Sequence, residues 1–312
     1  MSARLLLQLL LLVQAAAAGA IALAAARWLG IGALAALALG VAAVFIVRAL
    51  ISANNFMMSM RVASPTPPEF RLAPAARLRL YAEEFRASML QSSWIMPRAR
   101  PVQRIYPAAQ LAPVLLLHGY GCNSGYWAHL VPLLDAARIS HACPNLEPLG
   151  AAIDDYVPAV AEAIDALCQA SGARQVVIVA HSMGGLAARA YLRAHGAAKV
   201  ARIITLGAPH FGTCLASLGP GANASQMRRA RCGAAPESDW LHSLAAGEGA
   251  AARSLVTSIY SHHDNIVSPQ TSSCLDGARN IAFGGVGHVA LGSNPQVLSC
   301  IMHELAGEGF VA

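Results

Sequence analysis

Two long apolar runs open the chain, over residues 5–26 and 29–47, and neither contains a charged side chain. Arg27 and Trp28 separate the two runs. A helix of about 20 apolar residues is long enough to cross the roughly 30 Å hydrocarbon core of a bilayer. We therefore predict two transmembrane helices, joined as a hairpin within residues 1–50.

The first apolar run has a second interpretation, and the flanking arginines indicate an orientation. Arg4 and the Ala-rich stretch around Gly19 also fit a cleaved signal peptide, in which case the second run would still anchor the protein. Arg4, Arg48 and Arg61 flank the ends of the hairpin, whereas Arg27 alone lies in its connection. Because basic flanks favour the cytoplasmic side, we expect both ends and the following domain to face the cytoplasm.

The long apolar runs end after the hairpin, and a proline-rich segment follows. Ser64-Pro-Thr-Pro-Pro68 cannot hold a helix. Residues 77–91 are then predicted as a helix that packs beside the membrane. We assign residues 51–100 to a linker that carries this juxtamembrane helix.

From residue 101 onward, short apolar runs with β-forming residues alternate with helical stretches. The predicted strands are residues 114–117, 139–145, 176–180, 202–206, 254–260 and 280–283. The predicted helices are residues 125–137, 153–170, 183–195 and 295–304. Such alternation implies an α/β fold, a mostly parallel sheet with helices on both faces, so residues 101–312 are assigned to one domain. Residues 212–253 interrupt the alternation and are either a lid over a site or a surface excursion.

Composition and charge narrow the choice of partners. Hydrophobic residues make up 56% of the 312 residues and charged residues 12%, and most of the apolar excess lies before residue 50. The net charge of +6 includes eight arginines between residues 61 and 104, which suit either anionic lipid head groups or a solvated face. No aromatic residues interleave with them in a known motif, so we predict no nucleic-acid binding.

The seven cysteines all follow residue 121, and their odd number demands no disulfide framework. Outside the cytoplasm, the candidate bridges would be Cys214 with Cys232, or Cys274 with Cys300. No CxxC motif or Cys/His spacing indicates a metal site, so we predict no metal.

The strongest chemical signal follows the apolar run 176–180, where Ser182 directly precedes a predicted helix. A serine on a sharp strand-to-helix turn is lifted above the sheet, and the turn needs small residues two positions before and after it. Ala180 and Gly184 meet this requirement, so the motif is AxSxG in place of GxSxG. We predict Ser182 as a nucleophile that needs a nearby base.

The chain order nucleophile, acid, histidine indicates where the partners of Ser182 lie. Asp264 follows a predicted strand, and His288 lies in the Gly-rich loop after the last one. We predict that Asp264 orients His288, which accepts and returns the serine proton. Asp276 is an alternative acid, although its Leu275-Asp-Gly277 setting is typical of a turn. Three other histidines fit the role of base less well: His262, His263 and His303.

Acyl transfer also needs hydrogen-bond donors for the negative charge that develops on the carbonyl oxygen. The turn His118-Gly-Tyr-Gly-Cys-Asn123 follows the first predicted strand of the domain, where a fold with such a serine turn supplies one backbone N–H. We predict the main-chain N–H groups of Tyr120 and Met183 as the two donors. This chemistry needs no cofactor, and we predict none.

From about residue 113 to its C-terminus, the chain resembles the bacterial class 2 lipases of the α/β-hydrolase superfamily, which are related to the small Bacillus-type lipases. The matched segments occur in order: residues 180–185, 205–208, 257–261 with Asp264, and 275–280 leading into His288. The resemblance implies cofactor-free hydrolysis of carboxylic esters, often acylglycerols, by Ser182, Asp264 and His288, with Tyr120 and Met183 at the oxyanion site. The small relatives are secreted and lack the hairpin and the 212–253 segment. With its anchor, we expect this chain in a bacterial inner membrane.

These observations favour a serine ester hydrolase, a lipase or carboxylesterase that cleaves lipid-like acyl esters near a membrane. The same three side chains would serve an acyltransferase, a thioesterase or a lipid-remodelling deacylase, because a fold does not determine the acyl acceptor. A third hypothesis is a non-enzymatic membrane protein with a vestigial hydrolase domain. Two helices without ionisable residues offer no substrate path across a membrane, which argues against it.

Overall fold

A computed structural model of the chain describes residues 1–107, 109–229 and 238–307, and its C-terminal part is built on one seven-stranded sheet. The strands are β1 (Val102–Arg104), β2 (Val114–Leu117), β3 (His141–Cys143), β4 (Val176–His181), β5 (Val200–Leu206), β6 (Val256–Ser261) and β7 (Arg279–Phe283). They lie in the order β1-β3-β2-β4-β5-β6-β7, with β1 antiparallel to β3 and the other pairs parallel. The predicted mostly parallel sheet is confirmed.

Helices cover both faces of this sheet, as predicted. The α-helices are α1 (Ala3–Leu29), α2 (Ala33–Met60), α3 (Pro74–Leu90), α4 (Val131–Ala136), α5 (Val157–Ser171), α6 (Met183–His195), α7 (Ala222–Gln226), α8 (Asp239–Ala246), α9 (Ala250–Arg253) and α10 (Pro295–Ala306). Side chains alternate along each strand. Leu115 therefore joins a core cluster with residues of α5 and α6, whereas Leu116 joins a second cluster with residues of α4 and α10.

The N-terminal helices α1 and α2 form a hairpin, and each is long and apolar enough to cross a membrane. The chain reverses at Gly30, whose φ of 64° lies in the left-handed region that favours glycine. Gly40 packs directly on the backbone of Ala18, where a β-carbon would clash with the Ala18 carbonyl oxygen. Small residues thus let the two helices approach closely.

The predicted bounds of these helices, 5–26 and 29–47, need correction. The first helix is longer at both ends, and α2 begins only after the Gly30 turn. The second helix continues to Met60 because no glycine or proline interrupts residues 41–60. Part of the predicted linker is therefore helical.

The remainder of the predicted linker packs on the sheet domain. α3 is continued by a π-helical turn at Gln91–Ile95. The Gln91 amide donates to the Tyr126 carbonyl oxygen at 3.2 Å, and the Asn123 amide donates to that of Met96 at 2.8 Å. These buried hydrogen bonds hold the segment on the domain and join residues on the two sides of the predicted boundary at residue 101.

Some details of the domain also differ from the predictions. The three-residue edge strand β1 was not predicted, because so short a run carries no periodic signal. The predicted helix 125–137 is split into a 3-10 helix, Ser124–His129, and α4, which has a proline in its first turn. Cys274 and Cys300 are free thiols and form no bridge. Cys232 of the other candidate pair lies outside the described residues, as does part of the predicted lid, 212–253.

Candidate active site

Ser182 lies between β4 and α6 in a strained backbone conformation. Its φ of 53° and ψ of −125° are rare for a residue with a side chain. The Ser182 N–H donates to the Leu206 carbonyl oxygen at 2.9 Å, which fixes the turn against β5. A β-carbon at Gly184 would lie 2.6 Å from the Leu117 carbonyl oxygen, so the turn requires glycine there. This is the strand-turn-helix arrangement that the AxSxG pattern predicts.

Asp264 and His288 form a buried hydrogen-bonded pair. Asp264 follows β6, His288 follows β7, and 2.7 Å separates Asp264 Oδ2 from His288 Nδ1. The other carboxylate oxygen accepts the N–H groups of Ile266 at 2.8 Å and Val267 at 2.7 Å. Because the Nδ1 proton is directed to a carboxylate, Nε2 of neutral His288 is the nitrogen that can accept a further proton.

The carboxyl ends of neighbouring strands bring this pair to the same edge of the sheet as Ser182. A β-carbon at Gly207, just after β5, would lie 3.0 Å from Asp264 Oδ2 and 3.2 Å from His288 Nδ1. On the β4 side, Nε2 of His181 lies 3.3 Å from the His288 carbonyl oxygen. No hydrogen bond joins the Ser182 hydroxyl to His288 within the described residues. Such bonds often tighten only when substrate is bound.

The charges around His288 favour its protonated form. Burial lowers the pKa of His288, but the charge and hydrogen bond of Asp264, with the charge of Glu84, raise it above its ordinary value of 6.5. The neighbouring His181 ring is neutral at pH 7, because burial and the charge on His288 hold its pKa well below 6.5. Tyr126 stacks on His181 with ring centroids 3.9 Å apart, and burial raises its pKa, so it stays protonated.

The loop after β2 passes directly beside Ser182. A β-carbon at Gly119 would lie 2.8 Å from the Ser182 β-carbon, so glycine is required for this approach. The N–H of Tyr120 follows in this loop, and the N–H of Met183 lies in the first turn of α6, where helix N–H groups lack intrahelical partners. No described residue accepts a hydrogen bond from either N–H. The two predicted oxyanion donors thus adjoin Ser182 and are unused.

His118 holds this loop in place. The sequence alone did not indicate this role. Its Nε2 accepts the Leu146 N–H at 2.9 Å, so the ring proton belongs on Nδ1, which lies 3.0 Å from the Gly119 carbonyl oxygen. Burial lowers the pKa of His118 to about 4, so the ring is neutral at pH 7. The histidine therefore fixes the backbone beside Ser182 without adding a charge.

A cavity of about 340 Å³ opens beside Ser182. Its apolar wall includes Leu215, Ala216, Leu218, Met227, Ile266 and Val267. Asn55 of α2 also lines the cavity, so the hairpin contributes directly to it. The arrangement can hold an apolar group next to the serine hydroxyl.

The alternative candidates lie in other surroundings. Asp276 is exposed in a turn before β7, as the sequence indicated. His303 lies on α10, with its Nδ1 2.8 Å from the Ser299 carbonyl oxygen. The His262 ring packs at a tilt against Phe70, and His263 Nδ1 accepts the Gly285 N–H. The structure therefore brings Asp264, and not Asp276, to His288.

Glu84 belongs to the same site but was not among the predicted residues. It lies on α3, and its carboxylate accepts the N–H groups of Val289 and Ala290, the two residues that follow His288. A single glutamate on a helix of the predicted linker carries no sequence signal for burial. Within the described ranges, no group of three or more His, Cys, Asp or Glu side chains is arranged to hold a metal ion.

Comparisons with known proteins agree with this geometry at the level of the fold. Residues 112–230 match the family model of the alpha/beta hydrolase fold. The mature lipase BlEst2 of Bacillus licheniformis is 17% identical, with a TM-score of 0.55 over 66% of this chain and 98% of that one. Lipase B of Aspergillus fumigatus is 22% identical, with a TM-score of 0.55 over 65% of this chain and 54% of that one, so about half of its length is matched. The predicted α/β-hydrolase fold is confirmed.

Proposed function

We propose that this chain is a serine hydrolase of carboxylic esters, a lipase or carboxylesterase in which Ser182 is the nucleophile, His288 the general base and acid, and Asp264 the orienting carboxylate. The buried hydrogen bond between Asp264 and His288, next to the strained Ser182 turn, carries the proposal. The lipases among the similar solved structures support ester hydrolysis. The resemblance to bacterial class 2 lipases remains part of the proposal.

The chemistry follows from the two ring nitrogens of His288. Nε2 accepts the hydroxyl proton of Ser182 while the serine oxygen bonds to the ester carbonyl carbon. The imidazolium then gives this proton to the alkoxy leaving group, and the acyl group remains on Ser182. A water molecule next loses a proton to His288 and attacks the acyl carbon. His288 returns that proton to Ser182, and a carboxylic acid is released.

The oxyanion formed in each half-reaction would accept hydrogen bonds from the N–H groups of Tyr120 and Met183. Both groups are fixed before substrate binds, one by the loop that His118 holds and the other by α6. Donors oriented in advance need no reorganisation in the transition state, and removing one from an enzyme of this type costs about 10²- to 10³-fold in kcat.

Covalent labelling tests this proposal directly. A fluorophosphonate should label the folded protein, and nitrophenyl esters should be hydrolysed. Phospholipids and acyl-CoA complete the substrate panel, and product analysis distinguishes hydrolysis from transfer to another acceptor. Folded protein that reacts with no fluorophosphonate and hydrolyses no ester would contradict the proposal.

The pH profile of kcat/KM should show an acidic limb with a midpoint above 6.5, the ordinary pKa of histidine. Below this midpoint His288 is protonated and cannot accept the Ser182 proton, so activity falls as the pH drops through the raised pKa. The measurement is the hydrolysis of phenyl acetate from about pH 5 to pH 9, because neither this ester nor the phenol that it releases ionises in that range. A midpoint at or below 6.5 would show that Asp264 and Glu84 do not outweigh burial.

We propose a lipid-like acyl ester as substrate, because a second cavity adjoins the first on the side of the hairpin. This second cavity, of about 360 Å³, lies between α1, α2 and α3 and shares Asn55 and Ile266 with the cavity beside Ser182. Leu10 and Phe85 are among its apolar lining residues. An acyl chain attached to Ser182 would extend along these surfaces. Residues 212–229 form one wall and would act as part of the lid.

Leu215→Trp should narrow the cavity beside Ser182 and so reduce the hydrolysis of esters with long acyl chains more than that of esters with short ones. We expect kcat/KM for a palmitoyl ester to fall by about 10-fold or more, whereas acetyl ester hydrolysis changes by less than about twofold. Nitrophenyl esters of increasing chain length provide the measurement. Leu133→Trp on α4 is the matched control, since Leu133 does not line the cavity. Equal losses with short and long chains would contradict the assigned acyl site.

We propose that the hairpin anchors the enzyme in a bacterial inner membrane with the hydrolase domain in the cytoplasm. Large apolar side chains are exposed along both helices: Leu12, Leu23, Leu34, Ile46 and Leu50. So extensive an exposed apolar surface indicates a membrane or partner contact. The flanking arginines favour the cytoplasmic orientation. A cleaved signal peptide over α1 is the alternative, and α2 would then be the anchor.

A further inference from the structure

The Glu84 carboxylate accepts hydrogen bonds from the loop that carries His288. Its side chain projects from α3 into the sheet domain, and the residue is 2% exposed. Oε1 accepts the Val289 N–H at 3.1 Å, and Oε2 accepts the Ala290 N–H at 2.9 Å. Since these residues directly follow His288, the carboxylate fixes the backbone on one side of the imidazole.

The other side of the loop is held equally closely. A β-carbon at Gly287 would lie 2.5 Å from Glu84 Oε2, so the carboxylate lies against the backbone before His288 as well. The N–H of His288 itself donates to the Asn265 side-chain oxygen at 2.9 Å. Residues 287–290 therefore have little freedom to move unless Glu84 moves with them.

A buried carboxylate at this position carries a desolvation cost that a neutral side chain making a purely structural contact would not have. Burial raises the pKa of Glu84, and the charge of Asp264 adds to the rise, while the two N–H groups and a charged His288 act against it. No lysine or arginine among the described residues forms an ion pair with Glu84. A neutral glutamine has nearly the same shape and could still accept an N–H through its amide oxygen, without the desolvation cost of a buried charge. The negative charge therefore requires a reason beyond packing.

His288 supplies that reason. The titratable groups that face its ring are Asp264 after β6, Glu84 on α3 and His181 at the end of β4, with Tyr126 stacked behind His181. His181 and Tyr126 are neutral at pH 7. Asp264 and Glu84 are thus the negative charges available to the imidazolium.

We propose that Glu84 is a positioning residue for the proposed ester hydrolase: it holds the His288 loop through Val289 and Ala290, and its charge stabilises the imidazolium formed when Ser182 is deprotonated. The inference rests on the proposed function. Through Glu84, helix α3 contributes to the positioning of His288. The end of α2 acts in parallel on the acid loop, because the Ser59 hydroxyl donates to the Asp264 carbonyl oxygen at 2.9 Å.

The test is Glu84→Gln in the full-length protein, with Glu83→Gln as the matched control. Gln has nearly the same shape as Glu but carries no charge, and Glu83 is the exposed neighbour on the same helix. We expect kcat/KM of Glu84→Gln to fall by about 10- to 100-fold. The acidic midpoint should move to lower pH, because an imidazolium that loses a nearby negative charge gives up its proton more readily. Glu83→Gln should change neither quantity.

Rates are expressed per site titrated by a fluorophosphonate, and thermal unfolding checks that each variant is folded. A midpoint equal to that of Glu83→Gln overturns the proposal, whatever the rate. If Glu84→Gln does not fold, Glu84→Asp carries the test, since Asp keeps the charge but is too short to reach both N–H groups. A reduced rate with a nearly wild-type midpoint supports the proposal, and a wild-type rate overturns it. Absence of labelling in the wild-type protein overturns both this proposal and the proposed function.

Discussion

Ser182→Ala should abolish fluorophosphonate labelling and reduce kcat for ester hydrolysis by about 10⁴- to 10⁶-fold. The variant removes the atom to which the acyl group bonds, while the N–H groups of Tyr120 and Met183 and the cavity remain. A residual rate from these groups is therefore expected, as in serine hydrolases that lose their nucleophile. The measurements are labelling followed by mass spectrometry, and hydrolysis of nitrophenyl butyrate.

The fold should tolerate this change. The backbone strain at residue 182, with its φ of 53°, is the same for alanine as for serine, so thermal unfolding should change little. Ser217→Ala is the matched control, because Ser217 is exposed in the wall segment of the cavity and donates to the Cys214 carbonyl oxygen. Labelling that persists in Ser182→Ala and disappears in another serine variant would show that the nucleophile is misassigned.

Asp264→Asn should reduce kcat by about 10⁴-fold. The amide oxygen can still accept the N–H groups of Ile266 and Val267, so the loop keeps its shape. The amide nitrogen, however, donates to Nδ1 of His288, which places the ring proton on Nε2. A ring protonated there cannot accept the Ser182 proton, and the imidazolium also loses its nearest negative charge.

Asp276→Asn is the control for this second variant, because Asp276 lies in an exposed turn and is the alternative acid that the sequence allows. Its kcat should stay within about twofold of the wild-type value, as for most surface substitutions. The kcat of both variants, measured with one soluble ester, decides which aspartate orients His288. A large loss in Asp276→Asn with normal activity in Asp264→Asn would reverse the two roles.

Much of the fold could be predicted because its central strands are buried on both faces. The run at residues 176–180 is continuously apolar, and it forms a parallel strand between two layers of helices. The edge strand β1 has exposed residues and pairs along only one side, so its sequence carries no such pattern. The predicted helix 125–137 was wrong in detail because apolar spacing alone does not distinguish a 3-10 helix followed by α4 from one continuous helix.

Residues of the candidate site could be predicted where their order along the chain indicates their chemical roles. The turn around Ser182 needs small neighbours, and the loops after the last strands can then be searched for an acid and a histidine. The structure brings the two residues predicted in this way, Asp264 and His288, to one edge of the sheet, where 2.7 Å separates Oδ2 from Nδ1. Glu84 lies on a helix that precedes the whole sheet, and no local pattern connects it with His288.

The sequence by itself determined the apolar hairpin, the α/β alternation and the three residues proposed for catalysis, because burial and turn geometry impose local patterns on the chain. Only the tertiary structure decided that Glu84 and Ser59 hold the loops of His288 and Asp264, and that Asn55 lines the cavity beside Ser182. These contacts join segments far apart in the chain. Each depends on how α2 and α3 pack on the sheet, which local periodicity does not encode.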